Sequence, residues 1–206
     1  MATLKKVAGM LTIYGDSTSG NCLKVKWTAE RLAIPYTWID VNIMNGESRT
    51  PDFLAMNPAG QVPTAVLDDG RALAQSNAII CYLAEGSPLI PADAYQRARM
   101  LEWMFWEQYS HEPYVAVARF QMKHLGKPLA EIEPRIIERG KAALAQMEAA
   151  LSDRDFLVDG ALTLADITLV AYTRMAADGG FALGDYPAVE AWVERIEAAL
   201  PIRDPR

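Results

Sequence analysis

Only two cysteines, Cys22 and Cys81, occur in 206 residues, too few and too far apart for a disulfide framework. Histidine is equally scarce, with His111 and His124 the whole complement, so there is no Cys/His cluster at zinc-ligand spacing and no metal centre is expected. No run approaches the roughly 18 apolar residues of a membrane span. Even the apolar stretch 161–171 carries Asp166 and Thr168, and no membrane role is expected. Basic residues are in the minority, 20 Lys and Arg against 26 Asp and Glu for a net charge of −6. That sign is wrong for gripping phosphate backbones, no concentrated basic patch offsets it, and no nucleic-acid partner is expected. Residues 1–9 hold Lys5 and Lys6 but no apolar core with a small-residue cleavage site, so they do not read as a secretory signal, and a cytoplasmic location is expected.

What is present is an ordinary globular composition, 51% hydrophobic and 22% charged, too apolar for a disordered chain. The length allows one domain or two. Strand signals are confined to the first half and fade after Leu73, which points to an α/β domain at 1–85, a linker at 86–91 and an all-α domain at 92–206. Leu11 to Tyr14 reads as a strand ended by Gly15-Asp16-Ser17. Asn21 to Ala33, with Leu23, Val25, Trp27, Leu32 and Ala33 near helical spacing, reads as a helix stopped by Ile34-Pro35. Tyr36 to Val41 is rich in β-branched and aromatic residues, and the crossover is long enough for a parallel βαβ unit. Thr64–Leu67 and Arg71–Ala74 flank Asp68-Asp69-Gly70 as a hairpin. Ser76 stands as N-cap of a helix over Asn77–Ala84, giving the order βαβ-ββα. The turn-rich segment Gly86 to Pro91 separates this half from four helical patterns: Asp93–Met122 with a kink at Pro113, Pro134–Leu151, Leu164–Asp178 and Tyr186–Leu200. Thr163 and Asp166 have the spacing of a capping box.

Three places have the makings of chemistry. The loop Gly15–Cys22 joins a strand to a helix and is crowded with hydroxyls. The unpaired N–H groups of the helix start favour a phosphate, carboxylate or thiolate there, although on the loop alone, helix capping by Ser17, Ser19 and Asn21 is the fuller account. The loop lacks the Gly-Lys-Ser/Thr ending of a Walker loop and the Gly-x-Gly-x-x-Gly fingerprint, so no nucleotide is expected. In Asn57-Pro58-Ala59-Gly60-Gln61-Val62-Pro63, a proline opening a strand is a candidate for a cis bond that presents the Val62 backbone to an extended peptide ligand, or simply for a rigid turn. Gln75-Ser76 either clasps a carboxylate at the next helix start or serves as an ordinary cap.

Taken together and in this order, these motifs resemble those of a bacterial cytosolic glutathione transferase of serine type, theta- or beta-like. The likeness runs from Met10 to about Trp192. It is carried by Ser19 to Cys22, Asn57 to Pro63, Gln75-Ser76 and the box at Thr163 and Asp166. The resemblance implies a thioredoxin-like N-terminal domain and a helical C-terminal one. It implies glutathione as co-substrate, with no metal or nucleotide, and a homodimer. It further implies that Val62 backbone atoms pair with the cysteinyl part of glutathione beside Pro63, that Gln75 and Ser76 hold the γ-glutamyl end, and that Gln61 lies near the glycine carboxylate. Many relatives have Glu where this chain has Gln75.

The activating hydroxyl of serine-type relatives lies three residues ahead of the position of Cys22, which selects Ser19, with Ser17 and Asn21 as alternatives of register. Tyr14 has a strand position and is read as structural. Cys22, one turn into an apolar helix, is read as a small buried hydrophobe, or else as the partner of a mixed disulfide. The aromatic residues Trp103, Phe105, Trp106, Tyr109 and Tyr114 are read as core by default. In the family the same helix lines a cleft between the domains, so Tyr109, His111 and Tyr114 are candidate walls for a small hydrophobic electrophile. His111 itself is read as a surface or hydrogen-bonded histidine rather than an acid–base group. The competing functions are a glutathione-dependent reductase or peroxidase using Cys22, an isomerase on the same fold, and a non-catalytic binding protein.

Overall fold

Alternate residues of the strand β1, Leu11–Gly15, are buried, with the side chains of Leu11 and Ile13 in the core, the two-residue period of a pleated strand. In the computed structural model, which describes residues 11–158, 160–200 and 202, β1 is the second strand of a four-stranded sheet of order β2-β1-β3-β4. The expectation about residues 1–9 lies outside the described residues. β2, Tyr36–Asp40, pairs parallel to β1 with Leu11 opposite Tyr36. β3, Thr64–Val66, and β4, Ala72–Ala74, add antiparallel partners. The hairpin closes through Gly70, whose φ of 82° suits glycine and whose N–H donates to the Leu67 carbonyl at 3.0 Å.

The crossover helix α1, Gly20–Arg31, buries Cys22, Leu23, Val25, Trp27 and Ala29. It ends in a Schellman turn: Ile34 N–H reaches the Ala29 carbonyl and Ala33 N–H the Glu30 carbonyl, with Ala33 at φ 52°. The helix α2, Pro51–Met56, follows β2 after two 3-10 turns and is absent from the expected βαβ-ββα order. Its signal is local: the Thr50 side chain accepts from Phe53 N–H and Pro51 opens the helix, while six residues are too few to show a period. α3, Ser76–Leu83, packs against α1. Its N-cap is Gln75 rather than Ser76.

The chain divides into two compact units, Met1–Ile90 and Pro91–Arg206. The described part of the second is helical: α4, Ala94–Trp106; α5, Glu112–Arg119; α6, Pro134–Leu151; α7, Leu164–Thr173; and α8, Pro187–Ala199. The single long helix expected over 93–122 is interrupted by wide π turns at Glu107–His111 and Phe120–His124. In the first of these Glu112 N–H reaches back five residues to the Glu107 carbonyl. Pro113 supplies the reason: it has no N–H for the carbonyl four residues earlier, and its ring crowds that turn unless the turn widens. α7 stops at Thr173, short of the expected Asp178, because the chain tightens into a 3-10 turn at Ala176–Gly179 and reverses at Gly180. That reversal lays Phe181 over Gly140 on α6, where a Cβ would overlap the Phe181 ring.

All ten residues of α7 are buried, and its start is tied by Asp166. The Asp166 carboxylate accepts from Thr163 N–H (2.9 Å), Leu157 N–H (3.0 Å) and Trp192 Nε1–H (3.0 Å), while the Thr163 hydroxyl accepts from Ala165 N–H. Burial pushes the Asp166 carboxyl above its ordinary range, and these donors pull in the opposite direction.

Candidate functional site

Within the first unit, the β1–α1 junction and the β4–α3 junction are brought side by side. Ser19 is the N-cap of α1, in extended conformation, yet its side chain makes no capping hydrogen bond. Capping by Ser19, the fuller account on the sequence alone, is thus not what its hydroxyl does. It is half-buried and hydrogen-bonds the Cys22 sulfur, which also accepts from Asp16 N–H at 3.3 Å. Ser17 is exposed. The loop is held by Asp16, whose carboxylate accepts from both the N–H and the hydroxyl of Thr18 and whose carbonyl accepts from Ser19 N–H.

Asn21, on the first turn of α1, accepts at Oδ1 from Ser76 Oγ on the first turn of α3 (3.0 Å) and from Lys24 Nζ (2.8 Å). The structure therefore joins Ser19, Asn21 and Ser76 in one neighbourhood. Gln75 is exposed beside it, with φ 70° and ψ 113°. A non-glycine residue held there stores strain of order 1–3 kcal/mol, a feature that clusters at ligand sites.

The third element is the turn before β3. Val62-Pro63 is a cis peptide bond. Buried Asn57 braces the turn by donating from Nδ2 to the Gln61 carbonyl (2.8 Å) and to Thr64 Oγ1 (3.1 Å), while its Oδ1 accepts from Ala59 N–H. Arg49 donates to the Ala59 carbonyl at 3.0 Å and lies against Gly60. Gln61 is exposed, Val62 half-buried and Pro63 buried.

Cys22 is fully buried, and burial pushes its thiol up to about 11 from 9.0, with the Asp16 amide and the Ser19 side chain lowering it by less. A thiol so placed is a poor nucleophile and a poor partner for a mixed disulfide. The edge of Tyr14 meets Phe53, with ring centroids 6.2 Å apart, in keeping with a structural role.

In the second unit the candidate electrophile residues separate. Tyr109 is 84% exposed and Tyr114 half-buried. His111 is fully buried, and its Nε2 lies 3.0 Å from Thr173 Oγ1 on α7. This corrects the reading of His111 as a surface residue or substrate wall. The π turn rotates it inward, and the Thr173 hydroxyl, which donates to the Leu169 carbonyl at 2.7 Å, is left to accept from the imidazole. Trp103 is buried and meets Trp106 edge to face, whereas Phe105, expected in the core, is 72% exposed.

Sequence reading missed Lys24, a charged side chain with none of its surface exposed, and the backbone strain at Gln75. The first had no signal, because Lys24 and Lys26 look alike in the chain and only the helix phase tells the inner from the outer. Among the described residues no group of three or more His, Cys, Asp or Glu is placed to hold a metal, and no helix is long and apolar enough to cross a membrane.

The glutathione S-transferase N-terminal domain matches residues 18–85 and the glutathione S-transferase C-terminal domain residues 126–199. Glutathione S-transferase 3 of Zea mays is 31% identical over 202 residues, covering 91% of this chain and 89% of its own. The crystal structure of glutathione S-transferase from Pseudomonas fluorescens Pf-5 superposes with a TM-score of 0.89 at 44% identity, over 91% of this chain and 94% of that one. A glutathione transferase homologue of Drosophila mojavensis, crystallised with bound glutathione, superposes with a TM-score of 0.81 at 28% identity, over 91% and 87%.

Proposed function

Because the chain belongs to the glutathione S-transferase family and is an enzyme of it, we propose that it ionises the thiol of glutathione at Ser19 and presents the thiolate to a small hydrophobic electrophile. The observation that carries this reading is the place of the Ser19 hydroxyl: it stands at the N-cap of α1, where N–H groups and a partial positive charge converge, makes no capping hydrogen bond, and already lies against a sulfur, that of Cys22, from which it would turn to the thiolate of glutathione. A free thiol has a pKa of about 8.5, and lowering it by about two units asks for roughly 2.7 kcal/mol. One hydroxyl donor to a thiolate, together with the helix terminus, is of that size.

In this reading the Val62 backbone pairs with the cysteinyl part of glutathione beside Pro63, Gln61 lies toward the glycine carboxylate, and Gln75 and Ser76 hold the γ-glutamyl end. The bracing of the turn by Asn57 and the bond between Asn21 and Ser76 support a prearranged site. Tyr109 and Tyr114 are offered as contacts for the electrophile, and His111 is withdrawn. The protein acts as a homodimer in the cytoplasm. A reductase or peroxidase working through Cys22 is disfavoured by the burial of that sulfur.

The test is conjugation of glutathione to an activated aryl halide. The Ser19→Ala variant is expected to lose about 25-fold in turnover near pH 7, the ratio of thiolate fractions for a pKa of about 6.5 against about 8.5, while still binding glutathione. Turnover in the variant equal to that of the wild type would refute the assignment.

A further inference from the structure

Gly15 ends β1 just ahead of the loop that carries Ser19, and it lies at a crowded point. A Cβ there would stand 2.5 Å from Trp38 Cη2, 2.8 Å from Trp38 Cζ2 and 3.2 Å from Cys22 Cβ. The indole of Trp38, on β2, thus takes the space that a side chain at residue 15 would fill, and the first turn of α1 comes down beside it. Each of the three is tied in place. The Gly15 backbone pairs with Asp40, and its carbonyl accepts from Val41 N–H at 2.9 Å. The indole donates from Nε1 to Asp40 Oδ1 at 2.8 Å and has the ammonium of Lys26, on α1, 5.9 Å from its ring centroid. Cys22 passes the constraint on to Ser19: the N–H groups of Cys22 and Leu23 both donate to the Ser19 carbonyl at 3.0 Å, and the Ser19 side chain hydrogen-bonds the Cys22 sulfur.

We propose that Trp38 is a positioning residue for Ser19: its indole, lying over Gly15, sets how closely the first turn of α1 seats on the end of β1. This rests on the reading of Ser19 as the group that ionises glutathione, and it names what fixes the place of that hydroxyl. A hydrogen bond to a thiolate holds only over a narrow range of distance and angle, so a small displacement of the helix start takes away much of its effect. The contact reaches Cys22 through Cβ, so the thiol itself is not needed for it. Without the indole, the space over Gly15 empties, and the first turn of α1 loses the surface that sets its height.

The test follows the thiol pKa of bound glutathione, by the ultraviolet absorbance of the thiolate, in wild type, Ser19→Ala, Gly15→Ala, Trp38→Leu and the double variant of the last two. Gly15→Ala drives a methyl against the ring and the helix turn, and Trp38→Leu empties the space over Gly15. Each is expected to raise the pKa by about one unit, half of the shift assigned to Ser19 and the helix start. In the double variant the methyl enters room that the shorter Leu side chain leaves, and the pKa is expected to fall back below that of either single variant. A merely structural role lowers the urea midpoint and leaves the bound thiol pKa where it is. Trp38→Leu shortens a half-buried side chain and forces no overlap, so it decides alone where Gly15→Ala does not fold. If Ser19→Ala raises the pKa while Trp38→Leu titrates like the wild type, the proposal is overturned and the glutathione reading stands. A double variant at or above the higher single value overturns it as well. A wild type that binds no glutathione, or a Ser19→Ala that titrates like the wild type, brings down both.

Discussion

Ser76 Oγ lies 3.0 Å from Asn21 Oδ1 across 55 residues of sequence. The bond ties the first turn of α3 to the first turn of α1, adding a side-chain link between the starts of two helices that already pack along their lengths. Each start alone is an ordinary helix end. Joined, they are the two helix starts on which the proposed glutathione site is built, with Ser19 beside them.

Cys22 is expected to be chemically quiet. With its thiol pushed up to about 11, about one part in a thousand is thiolate at pH 8. Half-buried Cys81, also raised by burial and by the nearby Glu85, is expected to alkylate first. Timed iodoacetamide labelling read by peptide mass spectrometry checks the order, and Cys22→Ala is expected to keep conjugation activity. Loss of that activity would revive a redox role for this sulfur.

The Asp166 carboxylate collects donors from Thr163, Leu157 and Trp192 with none of its surface exposed. Removing it orphans those buried donors at roughly 1–3 kcal/mol each. Asp166→Ala is therefore expected to lower stability by about 4 kcal/mol or more in urea unfolding, and Trp192→Phe by about 1 kcal/mol. An unchanged midpoint for Asp166→Ala would contradict the hub role.

Gly140 is required by contact rather than by conformation, since a Cβ there overlaps the Phe181 ring. Gly140→Ala is expected to cost about 1–3 kcal/mol through overpacking. A second change, Phe181→Leu, should recover part of the loss, which a double-mutant cycle measures.

Gln75 holds φ 70° without being glycine. Gln75→Gly is expected to relieve strain and to gain about 1 kcal/mol in stability after the added chain entropy is counted. It removes a side chain from the γ-glutamyl end, so thermal melting is expected to rise while glutathione affinity falls. A simultaneous drop in both would mean that the backbone there is not strained.

Much of this architecture is legible in the chain because its signals are local. Gly70 in the hairpin, Pro134 at the start of α6 and the Thr163–Asp166 spacing each announce an element through its own backbone requirement. α2 escaped because six residues show no period, and the π turns escaped because Pro113 says that a helix must yield but not how. The site was partly legible for the same reason: a loop of hydroxyls and a proline before a strand are local patterns. Lys24 and His111 were not, since burial of a polar side chain depends on which way a helix is turned against its neighbours, and that is decided by residues far off in sequence such as Ser76 and Thr173.

The central claim is that Ser19 lowers the pKa of bound glutathione. It is tested most directly by the ultraviolet absorbance of the thiolate, followed across pH for glutathione bound to the wild type and to Ser19→Ala. The bound thiol of the wild type is expected to titrate about two units below the free value of about 8.5, and that of the variant near it. Equal titration of the two proteins would contradict it and place the activator elsewhere.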